Sequence, residues 1–578
     1  MHKQTSISAR ITAGLTLAAT LAASTGTLPS MAATLAAAPG SVRPTAATLQ
    51  SAAGIIFTAT IPTLQKPLPL FRLARTAAPA SFVKQVIGAA QPMSMEGTRI
   101  VARDSRGTMH AYADAATGEA QIFPDFASTG AAAQPATLEN AASAVFSRGD
   151  VIPKDATTAR ITDVIPVMSA QASHGSDGSS QALSAPQRLF TYYTVTRYAA
   201  GLPVFGDSSQ ATVGVGNNGS IRAFVRRWQA ASPAGEVAPA TTPAQLVASI
   251  DAQLKNYVER DVTITVDSIK PAYYDGNAKY LQPVYEFEAT MHPSSKITSN
   301  EHVRGFVPVG KLVEPIRVLG VKNGAGPSSP HPAGSGGPMV SQIMLGQYAN
   351  DDGSMQDMAN AYYNGFDSVS PGVYGPPINR IQWYWAETWQ VLSDANSYLN
   401  AMNVAYTMPH GNWWVNTTNG TGGSPWYVDQ IGVGGNPGYG SASGGHLAAW
   451  IIDSCEVIPS YYDLQYTTGN GNSAFTYWWP VFQGLHRALG FRTEMLLGED
   501  TMNYDIAQSM AEGAGADNAF YNGVAAVSFG TYTDGHLGLT VHYDRVSIMH
   551  DPRNYNETIY AIQGQSASGT LNNVWMSN

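Results

Sequence analysis

AAWIIDSCEV, residues 448–457, is the stretch from which the rest of the chain can be read. Its apolar run is short, rich in bulky and β-branched side chains and stopped by Asp453, the pattern of a buried strand rather than a helix. The run delivers Cys455, the only cysteine among 578 residues, to the point where the strand should end. Working outward, NVAYTM (403–408) has the same character and is followed by Pro409-His410-Gly411. VSQIMLGQYA (340–349) also reads as a strand, and SMQDMANAYYNGF (354–366) as a helix. AETWQVLSDANSYLNAM (386–402) sets Trp389, Leu392 and Leu399 at helical spacing. WWPVFQGLHRALGF (478–491) does the same with Trp478, Val481, Phe482, Leu485 and Leu489, and FRTEMLL (491–497) follows as a strand. Strands alternating with helices predict an α/β domain over 339–578, a mostly parallel sheet with helices on both faces.

The sequence before that domain differs in kind. Lys3 and Arg10, the apolar ITAGLTLAATLAA (11–23) and Ser30-Met31-Ala32 predict a secretory signal over 1–32 and an exported, extracellular product. The leader is too short and threonine-rich to stay as a membrane span, so no membrane partner is expected after its removal. Residues 33–80, rich in Ala, Thr, Pro and Ser, read as a low-complexity lead-in. Over 81–323 an α+β region is expected. TLENAASAVFSRG (137–149) and TPAQLVASIDAQLKNY (242–257) are its helices, and RLFTYYTVTRY, QATVGVG and SIRAFVRRW its strands around the turn Asn217-Asn218-Gly219. GAGPSSPHPAGSGGP (324–338) reads as a linker, with His331 a solvated member of it. With 41 acidic against 32 basic residues, a net charge of −9 and no Lys/Arg cluster, nucleic acid is not an expected partner.

TRYAAGLPVFGDSSQATVGVGNNGSI, Thr196 to Ile221, resembles the propeptides of thermolysin-type and fungalysin-type secreted proteases, over about 137–292. That resemblance implies a pro-region that assists folding and can inhibit the enzyme it precedes.

In open α/β sheets functional groups collect at the carboxyl ends of strands. Neighbouring strands lie about 4.8 Å apart, so His410 and Cys455, leaving the same edge, would form a dyad. A thiol with a pKa of about 8.5 gains nucleophilicity from an adjacent imidazole. Cys455 would attack a peptide carbonyl, and His410 would protonate the leaving amine. The backbone N–H groups of Gly411 and Cys455 are the candidate oxyanion donors. The alternative for a lone cysteine is a small buried hydrophobe. TMPHG (407–411) and WIIDSCE (450–456) resemble the caspase, legumain and gingipain superfamily of cysteine peptidases. That likeness, over about 339–535, implies a caspase-like fold, a catalytic pair at His410 and Cys455, and often a strict choice of the residue before the cleaved bond. The Gln-Ala-Cys-Gly signature of caspases is absent, and Pro409 before the histidine is unusual. Together these readings predict a secreted thiol protease made as a zymogen, its pro-region a possible inhibitor, with a peptide or protein as substrate. A cut in the linker would release the enzyme.

Competing residues can be ranked. His446 would lie at the far end of its strand, about 30 Å from Cys455 at ~3.3 Å per residue. His486 falls on the expected helix of 478–491, and His536, His542 and His550 are weaker candidate bases. His-Glu-x-x-His is missing, so neither a metal nor a cofactor is called for; NDDGSMQD (350–357) is explained by helix capping. Asp453 and Glu456 are candidate cleft residues, Asp453 sharing a strand face with Cys455. Nine of the eleven tryptophans lie between Trp383 and Trp479. Trp413, Trp414 and Trp426, in a loop after His410, could contact substrate, while Trp450 and Trp478 read as core. A non-catalytic exported protein on the same scaffold, gripping a glycan or peptide with that aromatic loop, is the rival reading.

Overall fold

The computed structural model describes residues 49–50, 54–88, 91–127, 130, 134–258, 262–276, 279–294, 297–316, 339–345, 353–370, 372–418, 424–497, 500–527, 531–541 and 544–577. The expected signal, the linker, His331 and His542 lie outside them. The described residues belong to one compact unit of mixed α/β structure.

Residues 54–80, read as a formless lead-in, are built into the molecule. β1 (Ile55–Phe57) and β2 (Leu68–Ala74) bury Ile55, Phe57, Leu70, Phe71 and Leu73. Ala/Thr/Pro-rich composition hid two short apolar runs whose pairing partners lie far along the chain. The two expected N-terminal helices form as α1 (Pro135–Phe146) and, further on, as α2 (Pro243–Leu254). Between them come a long hairpin of β3 (Thr158–His174) and β4 (Ser180–Ala199), then β5 (Ser209–Gly216) and β6 (Ile221–Trp228). The β5–β6 turn closes because Gly219 takes φ +84° and the Asn218 side chain accepts the Ser220 N–H at 3.0 Å. Three antiparallel strands follow: β7 (Val262–Tyr274), β8 (Tyr280–Pro293) and β9 (Glu301–Pro308). β1 pairs with β7, and β2 with β8.

The C-terminal part contains β10 (Met339–Leu345), α3 (Gly353–Asp367), β11 (Asn379–Ala386), β12 (Val404–Met408), β13 (Ala449–Ile452), α4 (Tyr461–Thr468) and β14 (Arg487–Phe491). After them come β15 (Met495–Leu497), α5 (Asp500–Ala511), α6 (Ala516–Ala525), β16 (Val546–His550) and β17 (Thr570–Met576). β11, β10, β12, β13 and β14 are parallel in that order, and β16 and β17 continue the sheet antiparallel. β17 then pairs with β3, so the sheet runs on into the N-terminal part. Alternation divides the strands between two cores. Val404, Tyr406, Ala449 and Ile451 face one with Tyr362, Ile506 and Phe520, and Ala405, Trp450 and Ile452 face the other with Trp426, Leu464 and Trp478.

Two expected helices are not formed. Within 386–402 only Thr388–Val391 is α-helical, followed by single 3₁₀ turns at Ala395–Ser397 and Leu399–Ala401. There the Asp394 side chain accepts the Ser397 hydroxyl at 2.7 Å, a local bond that competes with the helix. Within 478–491, Pro480 and Gly484 (φ +93°) break the run, and Ala488 and Leu489 alternate across β14. The first core also joins Ile264, Phe287 and Val303 of the N-terminal part to Met495, Leu497 and Met502. A break in 324–338 severs none of those contacts, so it would not by itself release the C-terminal part.

Candidate active site

β12 and β13 are parallel neighbours with Thr407 opposite Ile452, so their exits share one sheet edge. The Asp453 N–H donates to the Thr407 carbonyl at 2.9 Å, continuing the pairing past the strand end. Beyond it His410-Gly411 meets Ser454-Cys455. A Cβ on residue 411 would lie 2.0 Å from Ser454 Oγ and 2.9 Å from the Cys455 carbonyl oxygen, so the close approach requires glycine.

Both strand exits are covered rather than open to solvent. Three successive residues, Ser299 and Asn300 just before β9 and Glu301 at its first position, lie across both exits. The Ser299 N–H donates to the Gly411 carbonyl at 2.9 Å, the Cys455 thiol donates to the Asn300 carbonyl at 3.5 Å, and His410 Nδ1 hydrogen-bonds the Glu301 carboxylate. β9 is fixed there by parallel pairing with β15, Glu301 opposite Met495 and Val303 opposite Leu497. Cys455 is 2% exposed and His410 4%. Burial pushes the Cys455 thiol well up, and the carboxylates of Glu301, Glu494 and Glu456 add to that, against a backbone hydrogen bond from Met495. At neutral pH the sulfur is therefore a protonated thiol.

The acidic candidates separate. Asp453 does not share a face with Cys455, because β13 ends at Ile452 and the chain turns. Asp453 enters the core, accepting hydrogen bonds from Tyr406 and, at 2.9 Å, from Asn503; burial pushes its pKa up to about 6 despite both bonds. Glu456 belongs to the site. It takes φ +53°, is fully buried, and accepts hydrogen bonds from Ser299 Oγ and, at 3.2 Å, from His536 Nδ1. Trp413 stacks on the His536 ring at 4.4 Å and forms the rim of the site. Trp414 packs instead on Tyr477 at 4.3 Å, away from it.

The other candidate histidines among the described residues lie away from the pair. His446 is exposed just before β13. His486 is buried against Glu557 at 2.5 Å, and His550 against Asp517 at 3.2 Å. Among the described residues no group of three or more His, Cys, Asp or Glu side chains could hold a metal ion. A cavity of about 480 Å³ lies in the N-terminal part among Arg75, Glu119, Arg227, Trp228 and Lys279, and contains none of the candidate residues. The residues that sequence reasoning missed are Ser299, Asn300 and Glu301, with Glu494 behind them. Their only local signal is the alternating strand EHVRGFVP (301–308), which says nothing of where it docks.

Burial raises Glu456 from 4.5 to about 7, and the hydrogen bond with Glu456 raises His536 above 6.5. A group whose folded pKa exceeds its unfolded value stabilises the fold below the unfolded pKa and loses that contribution as pH rises through the folded one. Both groups act in this sense, so Tm is expected to fall from about pH 5 to about pH 8, and Glu456→Gln to flatten that fall, as read by thermal denaturation.

No family model matches the chain, and no curated protein matches it. Among solved structures it is similar to an uncharacterized protein from Eubacterium rectale, at 10% identity and a TM-score of 0.25, over 45% of this chain and 90% of the other. A likeness that slight carries no argument about fold or function.

Proposed function

We propose that the chain is an exported cysteine peptidase of the caspase, legumain and gingipain type, held latent by its own residues 299–301. One observation carries the reading: Ser299, Asn300 and Glu301 in turn touch Gly411, Cys455 and His410, so a peptide backbone already lies against the pair. The five-strand parallel block, with both exits at one edge, supports the reading.

In the latent state the thiol is buried among carboxylates, and the imidazole is engaged by Glu301. When the segment lifts, water and substrate enter and the local negative charge falls. His410 then takes the Cys455 proton, and the thiolate adds to the substrate carbonyl. The oxyanion is met by the N–H groups of Gly411 and Cys455. His410 returns the proton to the leaving amine, and water hydrolyses the thioester to free Cys455.

The test is covalent labelling of the full chain, before and after limited proteolysis, with acyloxymethyl ketone peptide probes. Labelling is expected on Cys455 after nicking, to vanish in Cys455→Ala and to fall about 100-fold or more in His410→Ala. Labelling that persists in Cys455→Ala, or is absent with every probe after nicking, overturns the reading. The burial of the sulfur favours the rival, a non-catalytic binder, and that rival predicts the second of these results. Its aromatic platform is weakened by Trp426, fully buried, and by the packing of Trp413 and Trp414 on His536 and Tyr477.

A further inference from the structure

Three strands of the N-terminal part come together around the cavity of about 480 Å³. Leu73 near the end of β2, Trp228 at the end of β6 and Lys279 just before β8 line it, and none of the lining residues belongs to the thiol pair or to the segment that covers it. Its walls are tied by main-chain bonds. The Leu73 N–H donates to the Lys279 carbonyl at 2.7 Å, and the Gln229 N–H to the Ser208 carbonyl at 3.2 Å. The cavity is thus formed before any ligand arrives, with a volume in the range of small-molecule sites.

The lining holds more donors than there are acceptors to receive them. Arg75 donates one N–H to the Ala116 carbonyl at 3.1 Å, and among the described residues neither Arg75 nor Lys279 forms an ion pair; both are exposed. Arg227 and Trp228 are 7% and 2% exposed. Asp505 takes one terminal nitrogen of Arg227 at 2.5 Å, but its Nε has no hydrogen-bond acceptor among the described residues, with Glu119 standing off at 3.8 Å. The indole N–H of Trp228, whose ring centre lies 4.8 Å from the Arg197 guanidinium, has none either. Buried donors are nearly always paired, so two without acceptors in one wall mark a place where an acceptor is missing. Of the two lining carboxylates, Glu314 accepts the Lys279 N–H at 2.8 Å and Glu119 faces Arg227.

We propose that this cavity binds a small ligand carrying one compact oxyanion, a carboxylate or a phosphate, on an apolar body. Arg75 and Lys279 hold the oxyanion by charge-assisted hydrogen bonds, while Leu73 and Trp228 pack on the body. Glu119 and Glu314 repel a second anionic group, which excludes polyanions. The site stands whether or not Cys455 is catalytic.

The experiment is isothermal titration of the full-length protein with phenylacetate, phenyl phosphate and, as their neutral counterpart, benzyl alcohol. At least one of the two anions is expected to bind saturably at a single site, about tenfold or more tighter than benzyl alcohol. Phenylacetate bound above phenyl phosphate assigns the site to organic acids, and the reverse assigns it to phosphate esters. Arg75→Gln/Lys279→Gln, which changes two exposed side chains, is expected to weaken that binding about tenfold or more at an unchanged Tm. Each single variant carries the same test should the double variant fail to fold. No saturable binding of either anion, benzyl alcohol bound as tightly as both, or binding undiminished in the variants overturns the proposal.

Discussion

Glu301→Ala protein is expected to alkylate at Cys455 about tenfold faster or more than wild type when iodoacetamide is added under native conditions near neutral pH. The wild-type thiol is expected to be slow for two separate reasons. Its sulfur is buried, and its pKa is pushed up first by that burial and then by the Glu301 carboxylate. Removing the carboxylate deletes the partner of His410 and loosens the first residue of β9 at once, so access and ionisation improve together. A cavity effect alone would raise access without involving the imidazole. The double variant Glu301→Ala/His410→Ala separates the two, because thiolate formation assisted by His410 is lost in it while access is kept. Rates equal to wild type in Glu301→Ala would show that this carboxylate does not hold the site closed, and equal rates in the single and double variants would show that His410 does not serve the thiol.

The largest stability effect is expected at Asp463. It caps α4, accepting the Ser460 N–H at 2.8 Å, and it binds Arg492 through both oxygens, one bond being 2.8 Å from Nε. Their side chains are 3% and 5% exposed. Burial works against a charge on Arg492, yet the Asp463 carboxylate holds its pKa up. Asp463→Ala would leave a guanidinium charged in the interior, and breaking such a pair costs about 3–5 kcal/mol. Urea unfolding should show the loss as a lower midpoint at unchanged slope. Arg492→Met with Asp463→Leu, which removes both charges, should recover most of it. The effect also reaches the site. Arg492 leads directly into Thr493, whose carbonyl accepts the Glu456 N–H at 2.9 Å, and into Glu494, which holds Asn300. Loss of the pair should therefore expose Cys455 as well as lower stability. A destabilised variant whose thiol stays as protected as wild type would show that the cleft wall is fixed from elsewhere.

The linked roles of these residues explain why the molecule is not two separable halves. Glu301 sits in a strand whose other edge belongs to β8, while its side chain serves a site built on β12, β13 and the turn before β15. On the proposed reading, opening that site would be a local event at residues 298–303 rather than the departure of a domain, because the core shared between the two parts does not include that segment's contacts with Gly411, Cys455 and His410.

Local pattern alone determined the strands at 403–408 and 447–453, the helices at 137–149, 242–257 and 354–366, and the Asn-Gly turn, because each rests on periodicity or φ preference within a few residues. From those strands the sequence also determined that His410 and Cys455 would leave the sheet one after the other, and the structure brings them to neighbouring exits of the same edge. The tertiary structure decided the rest. Apolar spacing in 478–491 fitted a helix on paper, but Pro480, Gly484 and a place beside β13 made a strand of its second half. Asp453 sat at strand spacing from Cys455, yet the turn after Ile452 sent it into the core. Glu301 lies 109 positions from His410, and nothing in either neighbourhood marks the other. Strand pairing and burial are set between segments distant along the chain, so which strand covers the thiol, and with which carboxylates, is fixed only when the whole sheet closes.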